Sequence, residues 1–360
     1  MIEDIYRQLA QRLDALPNGF PATQSGAELR LLRKLFTPME ARLATVMKLR
    51  AEPANEIAAR AGVDATEAYQ CLKEMVRKGL IRFRRGDGEL RFALMPFVVG
   101  FFEEQVGKMD EELARLVEDY FQEIRGLGLL DITPQLHRII PVEESIPIEV
   151  EIYPYERASE LLGAAKSFAV RRCICRVQKR LIGQPCHFPE EVCVLFAPVE
   201  GAFDHDPNSR VITREEAFAI LRQAEEAGLI HSSANRQDGI YYMCNCCTCC
   251  CGLMRGIAEF GIANAVARSD FYAVVDENLC IGCGNCVERC QFKALSLPDE
   301  ICIVDLTRCM GCGVCASACS EGALSLRRRP VGERVIPPCD GREWDAERAK
   351  TRGIRLEEVL

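Results

Sequence analysis

Cysteine makes up 21 of the 360 residues, and its spacing carries most of the chemistry the chain can do. Two runs share one pattern, Cys280-x2-Cys283-x2-Cys286-x3-Cys290 and Cys309-x2-Cys312-x2-Cys315-x3-Cys319. Three thiolates two residues apart can wrap three corners of a metal–sulfide cubane while loop N–H groups point at its sulfurs. Structural zinc pairs are not usually arranged in this threefold way. Cys280 to Leu297 and Cys309 to Leu326 align without a gap, so residues 270–327 are an internal duplication. Gly282, Gly284, Gly311 and Gly313 recur at equivalent positions, where the backbone is expected to approach inorganic sulfide closely.

A second group is denser. Cys173, Cys175, Cys186 and Cys193 are followed by Cys244, Cys246, Cys247, Cys249, Cys250 and Cys251, the last six within eight residues. Free thiolates at this density would repel and free thiols would oxidise, so a metal is expected to neutralise them. On a helix, Cys247, Cys250 and Cys251 would share one face, and Cys246, Cys249 and Cys250 another. The ten thiols can hold two more [4Fe–4S] clusters, or one cluster plus a reactive thiol group, or a structural zinc. At least one further iron–sulfur cluster is the favoured expectation. Arg171, Arg172, Arg176, Lys179 and Arg180 flank the first four. They can offset an anionic cluster, dock an acidic redox partner, or form a solvated helix face. His187 reads as a surface loop residue and Cys71 as part of a core.

Composition bounds the rest. The chain is 48% hydrophobic and 27% charged with a formal net charge of −8, as expected of two or three globular domains and not of a general polyanion binder. MIEDIYRQLAQRL lacks the apolar core of an export signal, and the longest apolar run, Phe92 to Phe102, is interrupted by Pro96. A cytoplasmic protein with reduced, metal-binding thiols and no membrane insertion is the expectation. No G-x-G-x-x-G, G-x4-G-K-[ST], H-E-x-x-H or G-x-S-x-G occurs. With four histidines in all, no nucleophile–His–acid set can be argued.

The elements that must position these residues follow from periodicity and caps. Leu31, Leu32, Leu35 and Phe36 lie at helical spacing, and Pro38 opens a further helix. Asp64 with Glu67 predicts the start of a helix ending near Gly79. Leu80–Arg85 and Glu89–Leu94 predict two strands joined by Gly86-Asp87-Gly88. One amphipathic helix is expected over 98–125, an extended connection over 131–155, and alternating helices and strands over 156–243. Thr213 with Glu216 predicts a helix ending near Gly228. The polar tail after Pro330 reads as a surface extension.

Several resemblances rest on these residues. The paired cysteine runs resemble the bacterial two-cluster ferredoxin, in which the fourth cysteine of each run serves the other cluster. That resemblance implies one [4Fe–4S] cluster on Cys280, Cys283, Cys286 and Cys319, and another on Cys309, Cys312, Cys315 and Cys290. Where the family commonly has Pro after the fourth cysteine, this chain has Gln291 and Ser320. EIAARAGVDATEAYQCLKEMVRKGLI and the hairpin after it resemble the winged-helix fold. Cys250-Cys251-Gly252 resembles the CCG modules of heterodisulfide reductase-type proteins over three residues. Taken whole, LPNGFPATQSGAELRLLRKLF, PFVVGFFEEQ, RCICR, CNCCTCCCG and FYAVVDENLCIGCGNCVERCQ resemble ferredoxin-type 4Fe–4S proteins of anaerobic bacteria with an N-terminal winged-helix-like region.

These readings imply an α+β multidomain protein. Its expected parts are a winged-helix-like domain (1–125), a small Cys-rich α/β domain (126–269), a dicluster ferredoxin-like domain (270–329) and a polar extension (330–360). Iron–sulfur electron transfer with a redox protein or oxidoreductase complex is the expected function. The alternatives are a redox-responsive winged-helix regulator and a ferredoxin-dependent thiol/disulfide reductase subunit. From Gly26 to Phe92 there are 14 Lys/Arg against nine acids, yet Asp64–Gln70 contains two acids and no base. Protein docking is therefore favoured over DNA reading at that helix.

Overall fold

The computed structural model describes residues 2–86 and 88–360; Met1 and Asp87, the centre of the expected hairpin turn, lie outside them. The chain divides into two compact units. One comprises Met1–Thr133, Val177–Gln184 and Asp345–Leu360, the other Pro134–Arg176 and Pro185–Trp344.

The first unit is mainly helical. It holds α1 (Ile2–Asp14), α2 (Ala27–Leu35) and α3 (Pro38–Val46), then β1 (Glu52–Pro53), α4 (Ala54–Ala61) and α5 (Ala65–Lys78). Thr37 and Glu40 form the capping box that starts α3, with Pro38 in its first turn. Asp64 accepts from the N–H groups of Thr66 and Glu67, which fixes the start of α5. Gly79 ends it in the left-handed conformation. The apolar stripe Ala68, Leu72 and Met75 faces inward. β2 (Ile81–Gly86) and β3 (Glu89–Leu94) pair antiparallel from Ile81↔Leu94 to Gly86↔Glu89, and β1 joins the far edge of β3 through Glu52↔Phe92.

The expected helix over 98–125 is broken. Residues 97–101 contain non-helical backbone, a 3₁₀ turn covers Glu103–Gln105, and the helix proper, α6, is Glu111–Ile124. The physical cause is local at both places. Asp110 caps the Leu113 N–H and sets the start, while Phe97, Phe101 and Phe102 pack against one another and against Tyr120 and Phe121. A segment buried on several sides lacks the one-faced period of a surface helix.

The C-terminal tail also departs from expectation. It forms a helix, Gly341–Arg352, whose Arg348 is fully buried. The Arg348 guanidinium donates to the carbonyls of Pro17, Ile132 and Leu129 at 2.8, 2.7 and 2.5 Å. Burial pulls its pKa down to about 9, which still leaves it charged at neutral pH.

The second unit contains α7 (Ala158–Gly163), the first residues of α8 (Ile174–Leu181) and α9 (Arg214–Ala227). Its main sheet comprises β4 (His137–Ile139), β5 (Ser167–Arg172), β6 (Glu191–Ala197), β7 (Ser209–Ile212), β8 (Ile230–Ala234) and β9 (Tyr242–Cys246). The strand order is β4-β8-β9-β6-β5-β7, and every ladder between them is antiparallel. Helix α9 starts at the Thr213 cap and ends at Gly228, and it buries Ala217, Ile220, Leu221 and Ala224. They join Phe168, Val170, Val194, Phe196 and Met243 in one core, which also includes Cys247 and Cys250. Further along lie α10 (Gly252–Ala258) and α11 (Asn285–Arg289). Two small antiparallel sheets complete the unit, β10 (Phe271–Val275) with β13 (Leu324–Arg328) and β11 (Leu295–Ser296) with β12 (Ile303–Val304). The chain is thus a mixed helix and sheet protein with several small sheets.

Arg348→Met removes the guanidinium's bonds to the carbonyls of Pro17, Asn18, Leu129 and Ile132 and should cost on the order of 3 kcal/mol. Thermal denaturation checks this, with the exposed Arg355→Met, whose surface pair with Glu358 contributes little, as the near-neutral control.

Candidate metal centres

The duplicated segment builds two matching cavities. Ala273 and Val275 of β10 point to the same side as their partners Leu326 and Leu324 on β13, because side chains two apart share a sheet face. Val275 and Leu324 floor one cavity, and Ala273 and Leu326 the other. The first is lined by Cys280, Cys283, Cys286, Cys302 and Cys319. The second is lined by Cys290, Cys309, Cys312 and Cys315. Each cavity therefore combines three cysteines of one run with the fourth of the other.

The backbone repeats as faithfully. Gly282 and Gly311 both have φ +69°, and Gly284 and Gly313 have +82° and +83°. A Cβ on Gly282 would meet the Glu300 carbonyl oxygen at 2.4 Å, and one on Gly311 the Phe271 carbonyl oxygen at 2.1 Å. At these two positions neighbouring backbone leaves no room for a Cβ, in addition to the left-handed φ.

The donor set suits thiolate ligation. The N–H of Ala273 points at Cys309 Sγ (3.5 Å), that of Ala294 at Cys290 Sγ (3.3 Å) and that of Cys302 at Cys280 Sγ (3.4 Å). Burial pushes the Cys312 thiol up to about 12 and Cys315 well above the usual thiol range. Cys302 lies outside both runs and has no motif spacing to announce it. It is buried, with its Sγ 3.5 Å from that of Cys286.

Exposure separates the two cavities. Cys283 is exposed beside the exposed Leu279 and Ile281. Its counterpart Cys312 lies under a strap: its carbonyl accepts from Val142 N–H at 3.0 Å, and Ser145 Oγ donates to the Gly313 carbonyl at 2.9 Å.

The ten upstream cysteines gather at one end of the main sheet. Cys173 follows β5, Cys175 lies in the first turn of α8, Cys193 is on β6, and Cys244 and Cys246 share one face of β9. β6 and β9 pair through Val194↔Met243, which brings Cys193 opposite Cys244. The stretch is strand and then turn, so the faces it would have had on a helix do not arise. Cys247–Cys250 form the turn, and Cys251 is the residue before α10. Helical faces do not govern the grouping: Cys247 and Cys250 join Cys249 and Cys186, whereas Cys251 joins Cys246 and Cys175.

Of the flanking bases, Arg171 pairs with Asp206, Arg172 with Glu190 and Lys179 with Glu118. Arg176 is buried and donates to the carbonyls of Pro189 and Asn245 at 2.9 and 2.8 Å. Burial disfavours its charge, but the sulfurs of Cys173, Cys247, Cys193 and Cys246 outweigh that and hold it charged well above the ordinary range. It is the counter-charge of the site. His231, buried, contacts Asn245 Oδ1 and Glu225 Oε1, while burial lowers His137 to about 3 and keeps it neutral. His187 is exposed against Phe188.

Gln291, which stands in place of the proline common after a fourth cysteine, joins the two groups. Its Oε1 accepts from Thr248 N–H at 2.8 Å, between Cys247 and Cys249, and its Nε2 donates to the Gly228 carbonyl.

A family model described as a 4Fe-4S binding domain matches residues 273–296, the span that contains the first cysteine run. No curated protein and no solved structure matches the chain. The match implies a [4Fe–4S] cluster, and the clustered thiols agree with iron–sulfur binding. No helix among the described residues is long and apolar enough to cross a membrane.

Gln291→Ala should lower stability by about 1–3 kcal/mol, since it leaves the Thr248 N–H and Gly228 carbonyl without their partner. Differential scanning calorimetry of the metal-loaded protein, with iron content measured in parallel, checks that the loss is in stability and not in metal.

Proposed function

We propose that this chain is an electron-transfer protein with two [4Fe–4S] clusters, one held by Cys280, Cys283, Cys286 and Cys319 and the other by Cys309, Cys312, Cys315 and Cys290. At least one further metal cluster is held among Cys173, Cys175, Cys186, Cys193, Cys244, Cys246, Cys247, Cys249, Cys250 and Cys251. The observation that carries this reading is the pair of cavities, each lined by three cysteines of one run and the fourth of the other. A bound [4Fe–4S] cluster supplies one-electron redox chemistry at such a site.

The chain's own residues set access. Leu279, Ile281 and Cys283 offer an open apolar face to a redox protein or oxidoreductase complex, whereas Val142 and Ser145 shield the second loop. Arg176 offsets upstream thiolate charge. The helices and hairpin of the first unit act as a winged-helix-like docking module. The groove between α5 and the hairpin, lined by Asn55, Tyr69, Arg85 and Leu90, supports that role.

A second reading, a redox-responsive winged-helix regulator, is favoured by the exposed Arg82, Arg84 and Arg85 on the hairpin. Phosphate contacts there would give binding to duplex DNA that weakens steeply with salt and changes with cluster oxidation. Fluorescence anisotropy with the chain's own upstream DNA tests it, and no binding at low salt would sink it.

For the main reading, anaerobically purified protein should contain about eight iron and eight sulfide from the ferredoxin-type segment alone. Cys319→Ala and Cys280→Ala should abolish the same electron paramagnetic resonance signal, and Cys290→Ala should abolish the one lost in Cys309→Ala. Pairing of Cys319 with Cys309 instead would refute the crossed arrangement.

A further inference from the structure

The ten upstream cysteines separate into two sets that chain order does not foretell. The sulfurs of Cys186, Cys247, Cys249 and Cys250 all lie within 4.8 Å of one another. Cys249 Sγ is 3.8 Å from Cys250 Sγ. Four thiolates about 2.3 Å from one central ion form a tetrahedron with edges of about 3.8 Å. A cubane holds each thiolate on a different iron and spaces them more widely. Among the described residues, the cysteines of the two ferredoxin-type cavities form no group as tight.

The other six cysteines form a closed circuit of thiol contacts. Cys173 touches Cys175 and Cys193, Cys193 touches Cys244, Cys244 touches Cys246, Cys246 touches Cys251, and Cys251 returns to Cys175. This circuit too contains no three sulfurs gathered as closely as the first set, so it does not offer one ion a tetrahedral cage.

We propose that Cys186, Cys247, Cys249 and Cys250 bind one divalent metal ion in a tetrahedral all-thiolate site, separate from the six-thiol circuit. The inference deepens the upstream part of the proposed function and leaves the circuit to the further iron–sulfur cluster. Three ligands come from one turn and the fourth from a loop 61 positions earlier, so the ion fastens residues 185–190 to the end of β9. Cys249 is exposed, which gives the ion a way in, while Cys247 and Cys250 are buried in the core of the main sheet. Thiolate softness suits zinc and ferrous iron alike. Binding replaces thiol protons by the ion, with the protons released to solvent and no change in oxidation state.

The test is metal and acid-labile sulfide per chain on the anaerobically purified full-length protein, alongside Cys186→Ser and Cys249→Ser. Each variant should lose one metal ion per chain and no sulfide. Lost zinc without a change in the visible spectrum identifies zinc, whereas one lost iron together with near-ultraviolet thiolate-to-iron absorption identifies a mononuclear ferrous site. Loss of about four iron and four sulfide would overturn the proposal in favour of a cubane at these residues. Loss of no metal would overturn it too. Should the variants fold poorly, X-ray absorption of the unmodified protein decides. A four-sulfur shell at about 2.3 Å with no neighbouring metal supports the site, and metal–metal scattering from every bound metal excludes it. The sulfide due to the ferredoxin-type segment is counted separately, so its absence would refute the two-cluster reading and leave the single-ion site standing.

Discussion

Anionic sulfur is expensive to bury without a compensating charge, and that constraint organises the second unit. A lone half-buried thiol meets it by staying protonated, as Cys71 does with its pKa raised to about 11 by burial. Grouped thiols have no such escape once they share protons. Donation from Cys175 and Cys193 holds Cys173 well below the ordinary thiol range, and donation from Cys249 and Cys250 does the same for Cys247. The guanidinium of Arg176, buried beside them, answers part of that charge, and the backbone N–H groups aimed at Cys280, Cys290 and Cys309 answer part of it elsewhere.

The scaffold meets this demand with ordinary means. An antiparallel sheet brings strand ends from distant parts of the chain together, so β5, β6 and β9 deliver Cys173, Cys193 and Cys244 to one rim. In the duplicated segment a two-stranded ladder floors both cavities, and the alternation of its side chains separates them. Gln291 then ties a loop of one region to the cysteine-rich turn of the other through a single amide.

Much of the local structure was legible in the residues. Asp64 before α5 and Thr213 before α9 announce helix starts because a short polar side chain has one good use there, and Pro38 marks the first turn of α3. The crossed cysteine grouping was implied by the resemblance to the two-cluster ferredoxin and not by the repeated spacing alone. What was not legible depended on contacts remote in sequence. Cys302 stands alone between two runs, and only the fold brings it beside Cys286. Nothing in Cys244–Cys251 itself says strand and turn; pairing of β9 with β6 and β8 overrides any local preference. Likewise Arg348 looks like one more charge in a polar tail until four carbonyls from elsewhere surround it.

The exchange of fourth cysteines between cavities also bears on synthesis. Cys290 emerges from the ribosome before the second run, so the second cavity acquires its last cysteine when Cys315 appears. The first cavity has four of its five lining cysteines early but waits for Cys319, and for Leu324 behind it. A nascent chain stalled in between holds Cys280, Cys283, Cys286 and Cys302 of the first cavity but not the Cys319 that the second run supplies. Both cavities therefore wait on the second half of the duplication, the first for Cys319 and Leu324 and the second for Cys315 and Leu326, so neither lining is complete until the whole segment has been made.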